Sequence, residues 1–246
     1  MAGIIIFLAG IGQSAIGFGY ALFSSPLLVW IGIPLPQVIA LVATCSMLQA
    51  IIGSRKLNTS VPWRLSLTAT IIRLASVIIG LLLLKLLVNL NITFIRMLIG
   101  GVICLIATIQ LIWRPQPVEK LHWGWGGIAF TSSGLLAGLF GMGGPPLVLW
   151  SMTHNWTNQK TRGFLFAVFA MSIPVQILLL SITFGLSILW NVVLGIAFLP
   201  LIYLGATVGI PLGNRMSKDK LKMIAYVVLL IIGVSAVVPA LLSKYI

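Results

Sequence analysis

The stretch GMGGPP, residues 141–146, lies in the middle of an apolar segment that runs from 123 to 150. Clustered glycines disfavour a continuous helix, and proline lacks the N–H group that an interior helical turn needs. A straight helix as long as this segment would measure about 42 Å, whereas the hydrocarbon core of a bilayer is about 30 Å thick. The stretch therefore predicts two half-helices joined by unwound backbone, which must be buried in protein or line a watery cavity.

A similar interruption occurs in the first apolar segment, 3–30, which contains GFGY at residues 17–20 and SSP at residues 24–26. Serine is a favourable N-cap and proline fits the first position of a helix. We therefore expect the second half-helix of this segment to begin near SSP, and its counterpart in 123–150 to begin near the two prolines. Both segments end in tryptophan.

The composition excludes a soluble globular enzyme. Of the 246 residues, 60% are hydrophobic and 7% are charged, with 15 Lys or Arg against 2 Asp or Glu. A soluble domain has about 25% charged residues, and a surface that faces water cannot be built from so few. The basic residues lie in short connections between apolar segments, which is typical of membrane proteins that follow the positive-inside rule and argues against nucleic acid as a partner.

The chain is predicted to be an all-α integral membrane protein with one transmembrane domain and eight hydrophobic segments. These segments are 3–30, 36–54, 64–87, 93–113, 123–150, 163–182, 188–211 and 223–243. The two interrupted segments are the first and the fifth, so the chain divides into two four-segment repeats, 1–116 and 117–246. At an offset of 127 residues, Gln49 matches Gln176 and Trp63 matches Trp190, which supports a duplication.

The basic residues also suggest a topology. If the first and fifth segments each enter and leave the membrane on one face, eleven of the fourteen basic residues outside segment cores lie on a single side. The positive-inside rule places that side in the cytoplasm of a cell inner membrane and both termini outside. Each repeat then crosses the membrane an odd number of times, so the second repeat is inverted. Inverted repeats with broken helices are an architecture of secondary transporters.

Arg73 is the most informative single residue, because it lies deep in segment 64–87 and no Asp or Glu occurs in any apolar segment. An ionised side chain at that depth is a functional candidate by default. Its guanidinium therefore needs backbone carbonyls, water or an anionic ligand as partners. The functional interpretation is that Arg73 binds the ligand. The alternative is that it bridges carbonyls at a helix break or extends its head group to the membrane interface.

The starts of the half-helices point to the same chemistry, because unpaired N–H groups and the positive end of the helix dipole favour an anion. Glycine also lets a ligand approach the main chain. The alternatives are close helix packing for the glycines and interhelical hydrogen bonds for the glutamines. The residues predicted to bind a substrate are Gly17, Gly19, Tyr20, Ser24, Ser25, Gln49, Arg73, Gly141, Gly143, Gly144 and Gln176. Thr44, Ser46 and Ser172 are weaker candidates, and no catalytic residues, metal site or cofactor are expected.

The duplicated glycine-rich break followed by proline resembles the sulfite exporter TauE/SafE family, also called the 4-toluene sulfonate uptake permease family. Trp63 and Trp190, which open the third and seventh segments, are similar to its pattern as well. The resemblance covers essentially the whole chain and implies inner-membrane transport of sulfite, sulfoacetate or related organosulfonates. The first copy departs from the family pattern, with Tyr20 where a third glycine is common and four extra residues before Pro26.

Together these observations predict a secondary transporter of small anions that works by alternating access, and not an enzyme. Two alternatives remain open: a permease of the same fold for a carboxylate or a metal species, and a membrane subunit that anchors or assembles partners without transport. The expected partners are the anion and the lipid bilayer, with a homo-oligomer left open.

Overall fold

The computed structural model describes residues 1–16, 18–112 and 122–215, together with the single positions 223, 227, 230, 231, 233 and 234. Most of these residues are helical, and none of them forms a strand. The first half contains five helices: α1 (Ala2–Ile16), α2 (Tyr20–Trp30), α3 (Leu35–Lys56), α4 (Trp63–Leu87) and α5 (Ile92–Ile112). The second half contains α6 (Trp123–Phe140), α7 (Gly144–Met152), α8 (Asn158–Phe184), α9 (Leu189–Ala197) and α10 (Leu199–Arg215).

Both predicted breaks are present. In the first, α1 ends at Ile16 and α2 begins at Tyr20, after Gly19 with a φ of 104°. In the second, Gly141 ends α6 with a φ of 74°, and its N–H donates to the carbonyl of Ala137 at 2.9 Å. Glycine adopts this left-handed conformation without a steric penalty, so the sequence ends the helix at this residue.

Three of the described helices are long and apolar enough to cross a membrane alone: α3, α4 and α8. The helical stretches Leu186–Ala197 and Leu199–Gly213 are bent by 50° relative to each other, and together they are long enough to form a fourth span. The helices on either side of the two breaks have 15 and 11 residues, and 18 and 9 residues. At 1.5 Å per residue, none of these four reaches a length of about 30 Å by itself.

Close glycine contacts hold the two halves of the chain together. α4 packs against α6, where a Cβ on Gly80 would lie 2.5 Å from the carbonyl oxygen of Leu135. α1 packs against α10, where a Cβ on Gly205 would lie 3.1 Å from the carbonyl oxygen of Phe7. Small residues allow such an approach in membranes, where packing and not water expulsion brings helices together. α3 and α8 pack against each other between these two pairs and are largely buried.

Two predictions about the segments are wrong. α2 begins at Tyr20, so Ser24, Ser25 and Pro26 lie inside the helix and do not start it. Gly19 already provides the non-helical turn that the serines were expected to provide. Segment 188–211 is not one helix: it divides at Phe198, because Pro200 fits the first turn of a new helix and cannot continue the old one.

The other predicted boundaries agree more closely with the structure. α3, α4 and α5 begin and end within two residues of the predicted segments, whereas α8 begins at Asn158, before the predicted 163. Most of segment 223–243 lies outside the described residues.

Candidate anion site

A small cavity lies where the two helix breaks meet. Its volume is about 40 Å³, which is room for about three water molecules or one small ion. The breaks Gly19–Leu22 and Gly141–Gly144 form two of its walls, and side chains from α1, α3, α4 and α8 complete it. We call this the central cavity.

Arg73 brings a positive charge to the central cavity from α4. Its side chain is 2% exposed and lies over the ring of Phe169, with 5.7 Å between the guanidinium carbon and the ring centroid. Its Nε donates to Ser133 Oγ at 3.2 Å, and its Nη1 donates to Ser172 Oγ. These bonds use two of the five N–H donors of a guanidinium. Nη2 lies 2.9 Å from the point where a Cβ on Gly143 would stand.

A chain of hydrogen bonds fixes this guanidinium relative to the second break. The hydroxyl of Ser133 accepts from Arg73 and donates to the carbonyl of Gly143 at 2.5 Å. The hydroxyl of Ser172 donates to the carbonyl of Val168 at 2.7 Å, which leaves its oxygen to accept from Arg73. Arg73 is therefore held by hydroxyls of α6 and α8, and no Asp or Glu is present among the residues that the structure describes.

Gln13 and Ser46 also line the central cavity; Ser46 is one of the weaker predicted candidates, and Gln13 is not among the predicted substrate-binding residues. Gln13 is fully buried, and Ser46 Oγ donates to its Oε1 at 3.1 Å. The Nε2 group of Gln13 has no hydrogen-bond partner. A buried donor without an acceptor costs about 1–3 kcal/mol, so a ligand that supplies an acceptor binds with that advantage. The sequence signal was a lone glutamine inside an apolar segment.

The first turn of α2 supplies main-chain donors. The earliest hydrogen bond of this helix runs from the N–H of Phe23 to the carbonyl of Gly19 at 3.0 Å. The N–H groups of Tyr20, Ala21 and Leu22 therefore have no carbonyl four residues earlier within the helix, and these residues line the central cavity. The first turn of α7 is different, because Pro145 and Pro146 have no N–H.

Seven of the eleven predicted substrate-binding residues line the central cavity: Gly19, Tyr20, Arg73, Gly141, Gly143, Gly144 and Gln176. The polar ends of two of them already have protein partners. The hydroxyl of Tyr20 donates to the carbonyl of Ile6 at 3.1 Å, and Nε2 of Gln176 donates to the carbonyl of Ala137 at 2.9 Å.

Four predicted residues are not among those that line it. Gly17 lies outside the described residues. Ser24 and Ser25 are fully buried inside α2, where Ser24 donates to the carbonyl of Tyr20 at 2.6 Å. Gln49 is 1% exposed, and its Nε2 donates to the carbonyl of Gly10 at 2.6 Å and to Ser14 Oγ. It links α3 to α1, as the interhelical alternative expects.

The donors of this cavity can hold a small anion, because a guanidinium, a side-chain amide and main-chain N–H groups face one space and no carboxylate among the described residues lines it. Charge-assisted hydrogen bonds of this kind are stronger than neutral ones. The described residues contain no group of three His, Cys, Asp or Glu side chains that could hold a metal ion.

Comparison with known proteins agrees with this chemistry. The family model described as sulfite exporter TauE/SafE matches residues 2–236. A protein of Cupriavidus necator strain H16, named as a probable sulfite/organosulfonate exporter TauE, is 27% identical over 233 residues, which cover 93% of this chain and 90% of that protein. No solved structure matches. The chain belongs to the TauE/SafE sulfite exporter family, whose members are transporters and not enzymes.

Proposed function

We propose that the chain carries sulfite or an organosulfonate across the cell inner membrane by alternating access, with the anion bound in the central cavity. One observation carries this proposal. Arg73 and Gln13, whose Nε2 has no hydrogen-bond partner, line the same cavity at the point where both helix breaks meet. Burial of a cation and a free donor is costly unless a ligand of opposite charge compensates for it.

The expected ligand is a small oxyanion. The central cavity has room for only a few heavy atoms, and Arg73 and the unpartnered Nε2 of Gln13 bring donors to it. A sulfite or sulfonate group offers three oxygens that accept hydrogen bonds in different directions. Arg73, Gln13 and the first N–H groups of α2 supply donors from three helices. A larger organosulfonate needs the cavity to widen, as it would in an open state of the transport cycle.

The proposed architecture is two inverted four-segment repeats, 1–116 and 117–246. Two findings support it. Gln49 on α3 bonds the carbonyl of Gly10, and Gln176 on α8 bonds the carbonyl of Ala137; donor and acceptor are both shifted by 127 residues. The packing is also reciprocal, since α4 packs against the first helix of the other repeat, α6, and α10 packs against α1. A two-fold relation between repeats produces this exchange.

The proposed topology places both termini outside, on the non-cytoplasmic side of the inner membrane, opposite most basic residues. Eleven of fourteen basic residues outside segment cores lie on the proposed cytoplasmic side. The first segment would then enter and leave on the outer face, and the fifth on the cytoplasmic face, as an inverted repeat requires.

Counterflow in proteoliposomes tests the function. Vesicles loaded with one unlabelled anion are diluted into a trace of the same anion in radiolabelled form, for a panel of sulfite, sulfonates and carboxylates. We expect accumulation of label with sulfite or organosulfonate loading and none with carboxylate loading. Accumulation with carboxylates alone would show a permease for another solute, and no accumulation with any anion would support a membrane subunit without transport.

A further inference from the structure

A second cavity, of about 30 Å³, lies beside the central cavity along α8. On α8 it is lined by residues up to Leu165, whereas the central cavity begins at Phe169. This difference of four residues is about one helical turn. The remaining walls come from the end of α1, from α7 and from Gly213 of α10.

The second cavity contains a cation and a hydroxyl that are both buried. Arg162 is 5% exposed, and its Nη2 donates to the carbonyl of Ser14, in the last turn of α1, at 2.5 Å. Thr161 is also 5% exposed, and its Oγ1 has no hydrogen-bond partner. A buried hydroxyl without a partner is uncommon in native structures and calls for a ligand or a water molecule. Both residues lie in the first two turns of α8, at the positive end of its dipole.

Phe18 separates the two cavities. The residues that precede it, Ala15 and Ile16, line the second cavity, and those that follow it, Gly19 and Tyr20, line the central cavity. Phe18 is 2% exposed and lines the second cavity. Its Cβ lies 3.4 Å from the point where a Cβ on Gly144, in the wall of the central cavity, would stand. The aromatic residue therefore lies at the second cavity and against the wall of the central cavity.

We propose that the second cavity is an intermediate site for the transported oxyanion, where Thr161 and Arg162 contact it, and that Phe18 closes the passage to the central cavity. The proposal rests on the proposed function, because it assumes that an anion passes through the central cavity. The site would open toward the face of the membrane where the connection between α7 and α8 lies.

The first test uses Thr161→Val, which removes the hydroxyl and keeps the shape of the side chain. Thr183→Val is the matched control on the same helix, because Thr183 donates to the carbonyl of Leu179 at 2.8 Å and lines neither cavity. We expect Thr161→Val to lower sulfite flux at subsaturating concentration about tenfold, the effect of one hydrogen bond to an ion. Its equilibrium dissociation constant for sulfite should stay within about twofold of wild type. Flux equal to that of the control would overturn the proposal.

The second test follows access to the central cavity and does not depend on transport. Ser46→Cys is placed there in a background with Cys45→Ala and Cys104→Ala, which removes both native cysteines. A membrane-impermeant anionic methanethiosulfonate reagent is applied to each face of the membrane separately. A separate variant, Asn155→Cys, marks the face of the membrane where the exposed connection between α7 and α8 lies. Phe18→Ala should speed labelling of the cysteine at position 46 at least about tenfold from that face and not from the other.

Phe23→Ala is the control for this second test, because Phe23 packs against Gly19 at the same break and lines neither cavity. Equal acceleration by both alanine variants, or none by Phe18→Ala, would overturn the gate. If the wild type transports no sulfite but Phe18→Ala still speeds labelling from that one face, the proposed function is wrong and the barrier at Phe18 is supported.

Discussion

Replacement of Arg73 by glutamine tests whether this buried cation binds the substrate or only bridges helices. Two unit charges about 4 Å apart interact by about 4 kcal/mol at the effective dielectric constant of about 20 that suits protein sites. That energy corresponds to a factor of about a thousand in affinity. Glutamine keeps one hydrogen-bonding group near Ser133 and Ser172 but loses the charge. We therefore expect the dissociation constant for sulfite to rise at least about a hundredfold.

The assay is equilibrium binding of radiolabelled sulfite to purified protein, with thermal unfolding measured on the same preparations. Arg64→Gln is the matched control, because Arg64 lies on the same helix, α4, and is exposed. The control should bind as the wild type does. If Arg73→Gln lowers the unfolding temperature but changes the dissociation constant by less than about threefold, the arginine is a structural bridge and the reasoning is wrong.

Four further predictions follow from individual contacts. Gln13→Leu removes the unpartnered donor together with the Oε1 that accepts from Ser46, so we expect sulfite affinity to fall about tenfold and the unfolding free energy of the ligand-free protein to change by less than about 1 kcal/mol, in the binding and unfolding assays above. Gly138→Ala places a Cβ 2.8 Å from a backbone nitrogen of α4 and should destabilise the protein by about 1–3 kcal/mol, whereas Gly127→Ala on the same helix, with no atom within 4 Å, should not. Equal unfolding free energies for these two variants would contradict the packing. Gln49→Leu removes two interhelical hydrogen bonds and Gln176→Leu removes one, so we expect losses of about 2 and about 1 kcal/mol; no loss in either variant would argue against the repeat. Reporter enzymes fused to the two termini should both report an outside location, and a cytoplasmic signal from either one would refute the proposed topology.

The sequence predicts the breaks well, because their cause is local. Gly141 ends α6 in a left-handed conformation that side chains other than glycine rarely adopt, and Gly19 precedes α2 in the same region of backbone space. The exact start of α2 was not predictable from the serines, since serine and proline also occur inside membrane helices. The bend at Phe198 has a local signal in Pro200, but a single proline early in an apolar segment does not distinguish a kink from a new helix.

The candidate site is only partly readable from the chain, because its geometry depends on contacts between distant segments. Arg73 stands out as a charge in apolar surroundings, but its partners Ser133 and Ser172 are 60 and 99 residues away. Gln13 has the same residue type as Gln49, yet Gln49 has both a carbonyl and a hydroxyl partner for its Nε2, while that of Gln13 has none. Only the assembled fold distinguishes a glutamine that joins helices from one that faces a cavity.

The most direct test of the account is to locate the bound anion. Selenite is a heavier analogue of sulfite whose selenium gives an anomalous diffraction signal, so crystals soaked in selenite would show where it binds. The account predicts one strong peak in the central cavity, within hydrogen-bonding distance of Arg73 and Gln13. A peak elsewhere with none in the central cavity, under conditions where the purified protein binds sulfite, would contradict it.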